Sequence, residues 1–149
     1  MSEKRILAYY SDGDGILLIE KMSNVLISWE VRLDMRIRQL KTQGVDYALV
    51  SELPSEKYRD AWKLNNDLSA VIIDEKKALE IARRRATAAL ISCKNRMIAK
   101  GRAESLKTGK SYTGLSEKDE TEFRGSLEII KKSLSLRYLE SVERNFKGK

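Results

Sequence analysis

Seven cations on one stretch of the chain are the residues best placed to do chemistry. Arg83, Arg84 and Arg85 are followed by Lys94, Arg96, Lys100 and Arg102. Each can neutralise a phosphate and release counterions from a nucleic acid. On a helix, Arg85, Arg96 and Lys100 fall near one another, away from the apolar seam. The competing reading is a solvated or protein-binding face, with Glu75, Glu80 and Glu104 as acidic neighbours. No aromatic side chains interleave with these cations to stack on bases. No recognition-helix pair with a short turn is visible either. A basic polar face also suits an anionic membrane surface.

Other chemistry finds little support. Gly109-Lys110-Ser111 matches only the tail of a phosphate-binding loop; the glycine required five positions earlier is Glu104, and no strand precedes it. Asp12 and Asp14 sit in an Asp-Gly-Asp-Gly turn. A calcium loop starting at Asp12 would need glutamate at its twelfth position, where Ser23 stands. The chain has no histidine and one cysteine, Cys93. That excludes His-based triads, His metal sites and an intrachain disulfide. Nucleophilic catalysis would fall to Ser-Lys pairs such as Ser133 and Lys131, which any helix of this composition contains. The expectation is a protein that is not an enzyme, with no cofactor, no metal and no small-molecule substrate.

The charge is divided along the chain. Residues 1–74 carry 10 Lys+Arg against 12 Asp+Glu, net −2, and residues 75–149 carry 19 against 10, net +9, which sum to the overall +7. Such asymmetry suggests regions with different partners. Both tryptophans and the only proline lie in the first region; the second is rich in helix formers. The N-terminal apolar run is too short for a signal-peptide core, and no run approaches the length of a spanning helix. With Cys93 on an apolar face, these features predict a soluble protein made in a reducing cytoplasm.

The first region reads as mixed α and β. Arg5–Tyr10 and Ile16–Ile19 flank the Asp-Gly turn and predict a β-hairpin. Residues 25–40 carry two patterns. Val25 to Val31 alternate as a strand, and a helix follows over about Asp34–Gln43; yet Leu26, Trp29, Leu33, Ile37 and Leu40 also form a helical stripe. Gly44 suits a left-handed helix end. Val45–Val50 reads as a strand. Ser55 caps a short helix bearing Tyr58 and Trp62 on one face. Asn65-Asn66-Asp67 makes a turn, Ser69–Ile73 a strand, and Asp74 an N-cap.

The second region reads as two helices. Leu79, Ala82, Ala86, Ala89, Cys93 and Met97 form a narrow seam on a helix from Glu75 to about Leu106. Lys107–Leu115 is a loop and Ser116 the next cap. Phe123, Leu127, Ile130, Leu134 and Tyr138 form a stripe on a helix reaching about Asn145. The two should fold back as an antiparallel hairpin. Ile129, Leu136 and Leu139 lie partly off the stripe, an apolar surplus that predicts self-association or packing on another protein.

One segment carries a resemblance. Leu53, Pro54, Tyr58, Arg59, Ala61, Trp62, Ile73, Asp74, Lys77, Ala78, Glu80, Ile81 and Arg85 resemble a recurring Leu-Pro, aromatic-Arg-x-Ala-Trp, Asp-x-x-Lys-Ala-x-Glu-Ile pattern in small virion- or tail-associated proteins of tailed bacteriophages and prophages. The pattern covers under a third of the chain. The group usually has a second proline before its strand, where this chain has Gln43-Gly44-Val45. The basic helix is not part of the pattern, and no catalytic residues come with it. Tyr58, Ala61 and Trp62 also read simply as the core of a small domain.

Together these readings predict an α+β protein: a small N-terminal module, 1–74, then a basic antiparallel helical hairpin, 75–149, with its loop at about 107–115. The resemblance implies a phage structural or assembly protein, made in the bacterial cytoplasm and built into a particle. Its partners would be itself and other virion proteins, through Tyr58, Arg59, Trp62, Ile129, Leu136 and Leu139. The alternatives are a basic protein binding DNA through the Arg83–Arg102 face, and a small phage inhibitor of a host protein.

Overall fold

The computed structural model describes residues 6–11, 16–21 and 29–147. The chain forms two compact units, Met1–Lys77 and Ala78–Lys149, close to the boundary expected at residue 74. The class is α+β, as its sequence predicts.

In the first unit, β1 (Ile6–Tyr10), β2 (Leu17–Lys21) and β3 (Tyr47–Val50) form an antiparallel sheet in the order β2-β1-β3. The register sets Ala8 opposite both Ile19 and Ala48. Because side chains alternate across a strand, the sheet buries two different faces. Ala8, Leu17, Ala48 and Val50 pack with Trp62, Leu64 and Val71, which belong to a two-stranded ribbon of β4 (Trp62–Leu64) and β5 (Val71–Ile73). Leu7, with Tyr9, Tyr47 and Leu49, packs on the other side against Trp29, Leu33, Ile37 and Leu40 of α1 (Trp29–Gln43). The unit is thus a helix, a sheet and a ribbon in three layers. The hairpin of β1 and β2 is the expected one; its Asp12–Gly15 turn lies outside the described residues.

Helix α1 corrects one expectation. Residues 22–28 lie outside the described residues, but Trp29–Val31, expected to finish a strand, begin the helix. Of the two patterns in this stretch the helical stripe holds from Trp29 onward, because Trp29, Leu33, Ile37 and Leu40 all meet the sheet. Gly44 closes the helix at φ +69°, the left-handed geometry that glycine adopts without a Cβ clash. Beside this layer Tyr9 donates to Glu20 at 2.8 Å, and Arg36 pairs with the same carboxylate at 2.9 Å. Burial, then the Glu20 bond, holds the Tyr9 hydroxyl above its ordinary pKa.

A 3-10 helix, Glu56–Ala61, is capped by Ser55, whose hydroxyl accepts from the Lys57 N–H. The N–H of Asp74 donates to the Ala61 carbonyl at 2.7 Å, joining the two ends of the ribbon. Trp62, expected on the short helix with Tyr58, instead takes an extended conformation and opens strand β4, which is short enough to escape a periodicity argument. Asp74 caps the next helix by accepting from the Lys77 N–H at 3.2 Å. That bond holds its carboxyl below the usual range.

The second unit is built on α2 (Glu75–Thr108), which enters it at Ala78, with α3 (Glu117–Lys132) and α4 (Leu136–Lys147). Lys94 on α2 pairs with Glu120 near the start of α3 at 3.2 Å. Arg83, about three turns earlier, reaches Ser133 just past the end of α3. Rising along α3 therefore means descending α2, the expected antiparallel hairpin. Helix α4 then turns back, since Arg96 donates to the Phe146 carbonyl near its far end. Ala82, Ala86, Ala89 and Cys93 of the predicted seam are buried, together with Ile81, Leu90, Ile130, Leu139 and Val142; Met97 is exposed.

The hairpin's second arm is the other correction. It is two helices, not one running to about Asn145. Ser133 ends α3 in an extended conformation, with its N–H bonded to the Ile130 carbonyl. Ser135 restarts the chain, its hydroxyl accepting from the Tyr138 N–H. Two serines that satisfy orphan helix-end groups break a helix that contains neither proline nor glycine at this point.

Candidate interaction surface

The break decides which apolar residues face outward. An unbroken helix would carry Leu134 and Tyr138 on the same stripe as Ile130. The break shifts the phase. Ile130 and Leu139 are fully buried, whereas Leu134 is 80% exposed, Ile129 55% and Tyr138 39%. Ile129 and Tyr138 line a cleft of about 450 Å³ with Glu128, Lys132, Ser133 and Ser135. Leu134 stands between the two serines, at the crest of the turn. The result is an apolar strip bordered by an acid and a base, Glu128 and Lys132, which lie 3.9 Å apart.

Of the six residues expected at a protein interface, Ile129 is on this strip and Leu136 is half-buried beside it. Leu139 is not available, because it is core. Tyr58 and Trp62 are also buried, in the N-terminal unit. Trp62 lies in the cluster with Ala8 and Val71, and its ring N–H donates to the Ser55 carbonyl at 3.2 Å. Trp62 helps hold the ribbon onto the sheet, and neither buried aromatic can present a docking surface. Arg59 lies over the Trp62 ring, 5.0 Å from its centroid, covering it from solvent. Of the thirteen residues that carry the phage resemblance, Tyr58, Ala61, Trp62, Ala78 and Ile81 are therefore core, and these include both of its aromatics. The N-terminal unit has a smaller apolar spot instead: Val31 and Met35, one turn apart on α1 and both exposed.

The seven cations divide by use. Arg83 donates through Nε and Nη2 to the Ser133 carbonyl, at 3.1 and 2.8 Å. Lys94 pairs with Glu120, and Arg96 donates to the Phe146 carbonyl at 2.6 Å. These three secure the turn between α3 and α4, the start of α3 and the end of α4. Arg85 is half-buried; Arg84, Lys100 and Arg102 are exposed. Helix α2 is continuous across all seven, as a shared face requires, but much of that face is engaged within the unit itself.

Periodicity alone puts Leu134 and Tyr138 on the inner stripe. The signal against that placement was local: Ser133 and Ser135, each a good cap, flank a single leucine. Among the described residues no group of three or more His, Cys, Asp or Glu side chains is arranged to hold a metal ion. None of the described helices is long and apolar enough to cross a membrane. No protein family, curated protein or solved structure matches the chain.

Proposed function

We propose that this protein is a structural or assembly component that works by packing against copies of itself, in the manner of the phage virion- and tail-associated proteins its central motif resembles. The observation that carries this reading is the strip of Ile129, Leu134 and Tyr138, which is apolar, exposed and built by a specific break in the chain. An apolar strip held open on ordered helices is a feature of interaction sites.

The occupant the strip fits best is a second copy. Its border carries one acid and one base, Glu128 and Lys132. In a two-fold arrangement each patch meets itself, so Glu128 of one protomer faces Lys132 of its partner. A stable interface buries about 800 Å² on each side; one centred on Leu134 would take Glu128, Lys132 and Ser135 into its rim. The mechanism is geometric and needs no catalytic group. Other virion proteins would then dock on the surfaces left free, of which the Val31–Met35 spot on α1 is one.

Substituting Ile129→Asp together with Leu134→Asp tests this. Both side chains are exposed, so the fold survives and circular dichroism stays unchanged. Light scattering should show the wild-type oligomer converted to monomer. An oligomer that persists in the double variant rejects the strip as its contact.

A further inference from the structure

We propose that the end of α2 and the loop that follows it form a phosphate-binding pocket, distinct from the apolar strip and from the Arg83–Arg96 part of the helix. The pocket is a groove of about 550 Å³ lined by Arg102, Ser105, Leu106, Gly109, Lys110, Ser111 and Tyr112. That volume lies within the range that accepts small phosphorylated ligands.

The first argument is charge. Residues 100–112 carry Lys100, Arg102, Lys107 and Lys110 against Glu104 alone, 4 − 1 = +3. Three other lysines of the second unit do have carboxylate partners, Lys94 with Glu120, Lys132 with Glu128 and Lys147 with Glu143, whereas Lys118 and Lys131 stand apart from one another on α3 and do not line this groove. Among the described residues none of these four cations, of which Arg102 and Lys110 line the groove, has a carboxylate within ion-pair distance. The carbonyl end of a helix works against an anion, but it amounts to only about half a negative charge. The side chains outweigh it.

The second argument is placement. The Tyr112 ring rests on Gly101 so closely that a Cβ there would stand 2.6 Å from Cε2. The Arg102 guanidinium lies 5.8 Å from the centre of the same ring. Tyr112 thus supports the arginine instead of offering a free stacking platform for a base. Gly109, at φ +73° and with its N–H bonded to the Ser105 carbonyl at 2.9 Å, ends the helix and brings Lys110 and Ser111 to the groove. A planar guanidinium, an ammonium and two serine hydroxyls then line one cleft, donors suited to phosphate oxygens. The arrangement differs from a phosphate-binding loop, in which the Gly-Lys-Ser opens a helix; here it follows one.

The chemistry recognised is the phosphate group, presented either by a nucleic-acid strand or by a free phosphorylated molecule. Fluorescence anisotropy of a short labelled single-stranded DNA with the full chain tests this, at about 50 and about 200 mM salt, with pyrophosphate as competitor. With two to three phosphates engaged, affinity should fall about tenfold between those salt concentrations. Arg102→Gln with Lys110→Gln should weaken binding by about tenfold or more and flatten the salt slope by about 1.4, while Arg84→Gln changes it less than twofold. Displacement of the strand by pyrophosphate identifies a small phosphorylated ligand; binding that resists pyrophosphate identifies a strand. Absence of binding by either probe at the lower salt overturns the proposal. So does an undiminished affinity in the Arg102/Lys110 double variant. Neither residue is on the apolar strip, so self-association should survive these substitutions, and its loss in the Ile129/Leu134 variant leaves this proposal untouched.

Discussion

At the scale of single residues, the groups that make local hydrogen bonds behave as their types dictate. Ser55, Asp74 and Ser116 cap helices where the sequence places them. Gly44 takes the left-handed end expected of it. These positions are legible because a cap needs only a short polar side chain and the next few N–H groups. Trp62 and Tyr58 are harder to place, because a motif aromatic looks the same on a surface as in a core; only their burial in the folded unit settles it. Tyr112 is the residue whose state sequence could not show. Its hydroxyl is shut away from solvent and has no hydrogen-bond partner among the described residues. An unsatisfied buried hydroxyl costs about 1–3 kcal/mol. Tyr112→Phe, which keeps the ring on Gly101, should therefore raise the melting temperature by about 3 °C, measured by thermal denaturation. A fall would mean that the hydroxyl makes a bond in solution.

At the scale of elements, length decided what could be read. The long seam of α2 repeats often enough to be recognised, and its central alanines and Cys93 are buried as that repeat implies. β4 is three residues long and carries no usable period. In α1 two periods competed, and the one compatible with burying Trp29 and Leu40 on the sheet prevailed. The division of the last arm into α3 and α4 was hidden for another reason: residues 133–135 form a break out of serines, which helices also tolerate. Arg83 holds that break through a forked pair of bonds to one carbonyl. Bonds to a charged donor contribute about 1.5–3 kcal/mol when buried, and this one is only partly so. Arg83→Leu should destabilise the protein by about 1–2 kcal/mol in urea unfolding. Arg83→Lys, which keeps the charge but not the planar fork, should recover less than half of that. A lysine variant as stable as wild type would show that charge alone matters there.

At the scale of the whole molecule, composition anticipated two regions of unlike charge, and the structure divides the chain close to that point. Counted over the observed units, residues 1–77 carry 12 − 13 = −1 and residues 78–149 carry 17 − 9 = +8. Part of that positive charge works inside the second unit, on carbonyls and carboxylates, which is why a count of cations overstated the surface free to meet DNA. The apolar surplus was legible as an amount, but not as a place. Leu139, counted toward it, fills the core, while Leu134, counted as core, stands out in solvent. A break of three residues exchanged them.

The central claim is that this strip joins copies of the chain by apolar packing, and salt separates that from association driven by charge. The most direct measurement is light scattering on the size-exclusion peak of the full chain, at about 0.1 M and about 1 M salt, with and without duplex DNA. We expect a discrete oligomer that forms without DNA and whose protein mass is unchanged by salt; any DNA held at the Arg102–Lys110 pocket adds only its own mass. A monomer at both salt concentrations would contradict the account, as would a species that grows only with DNA at low salt.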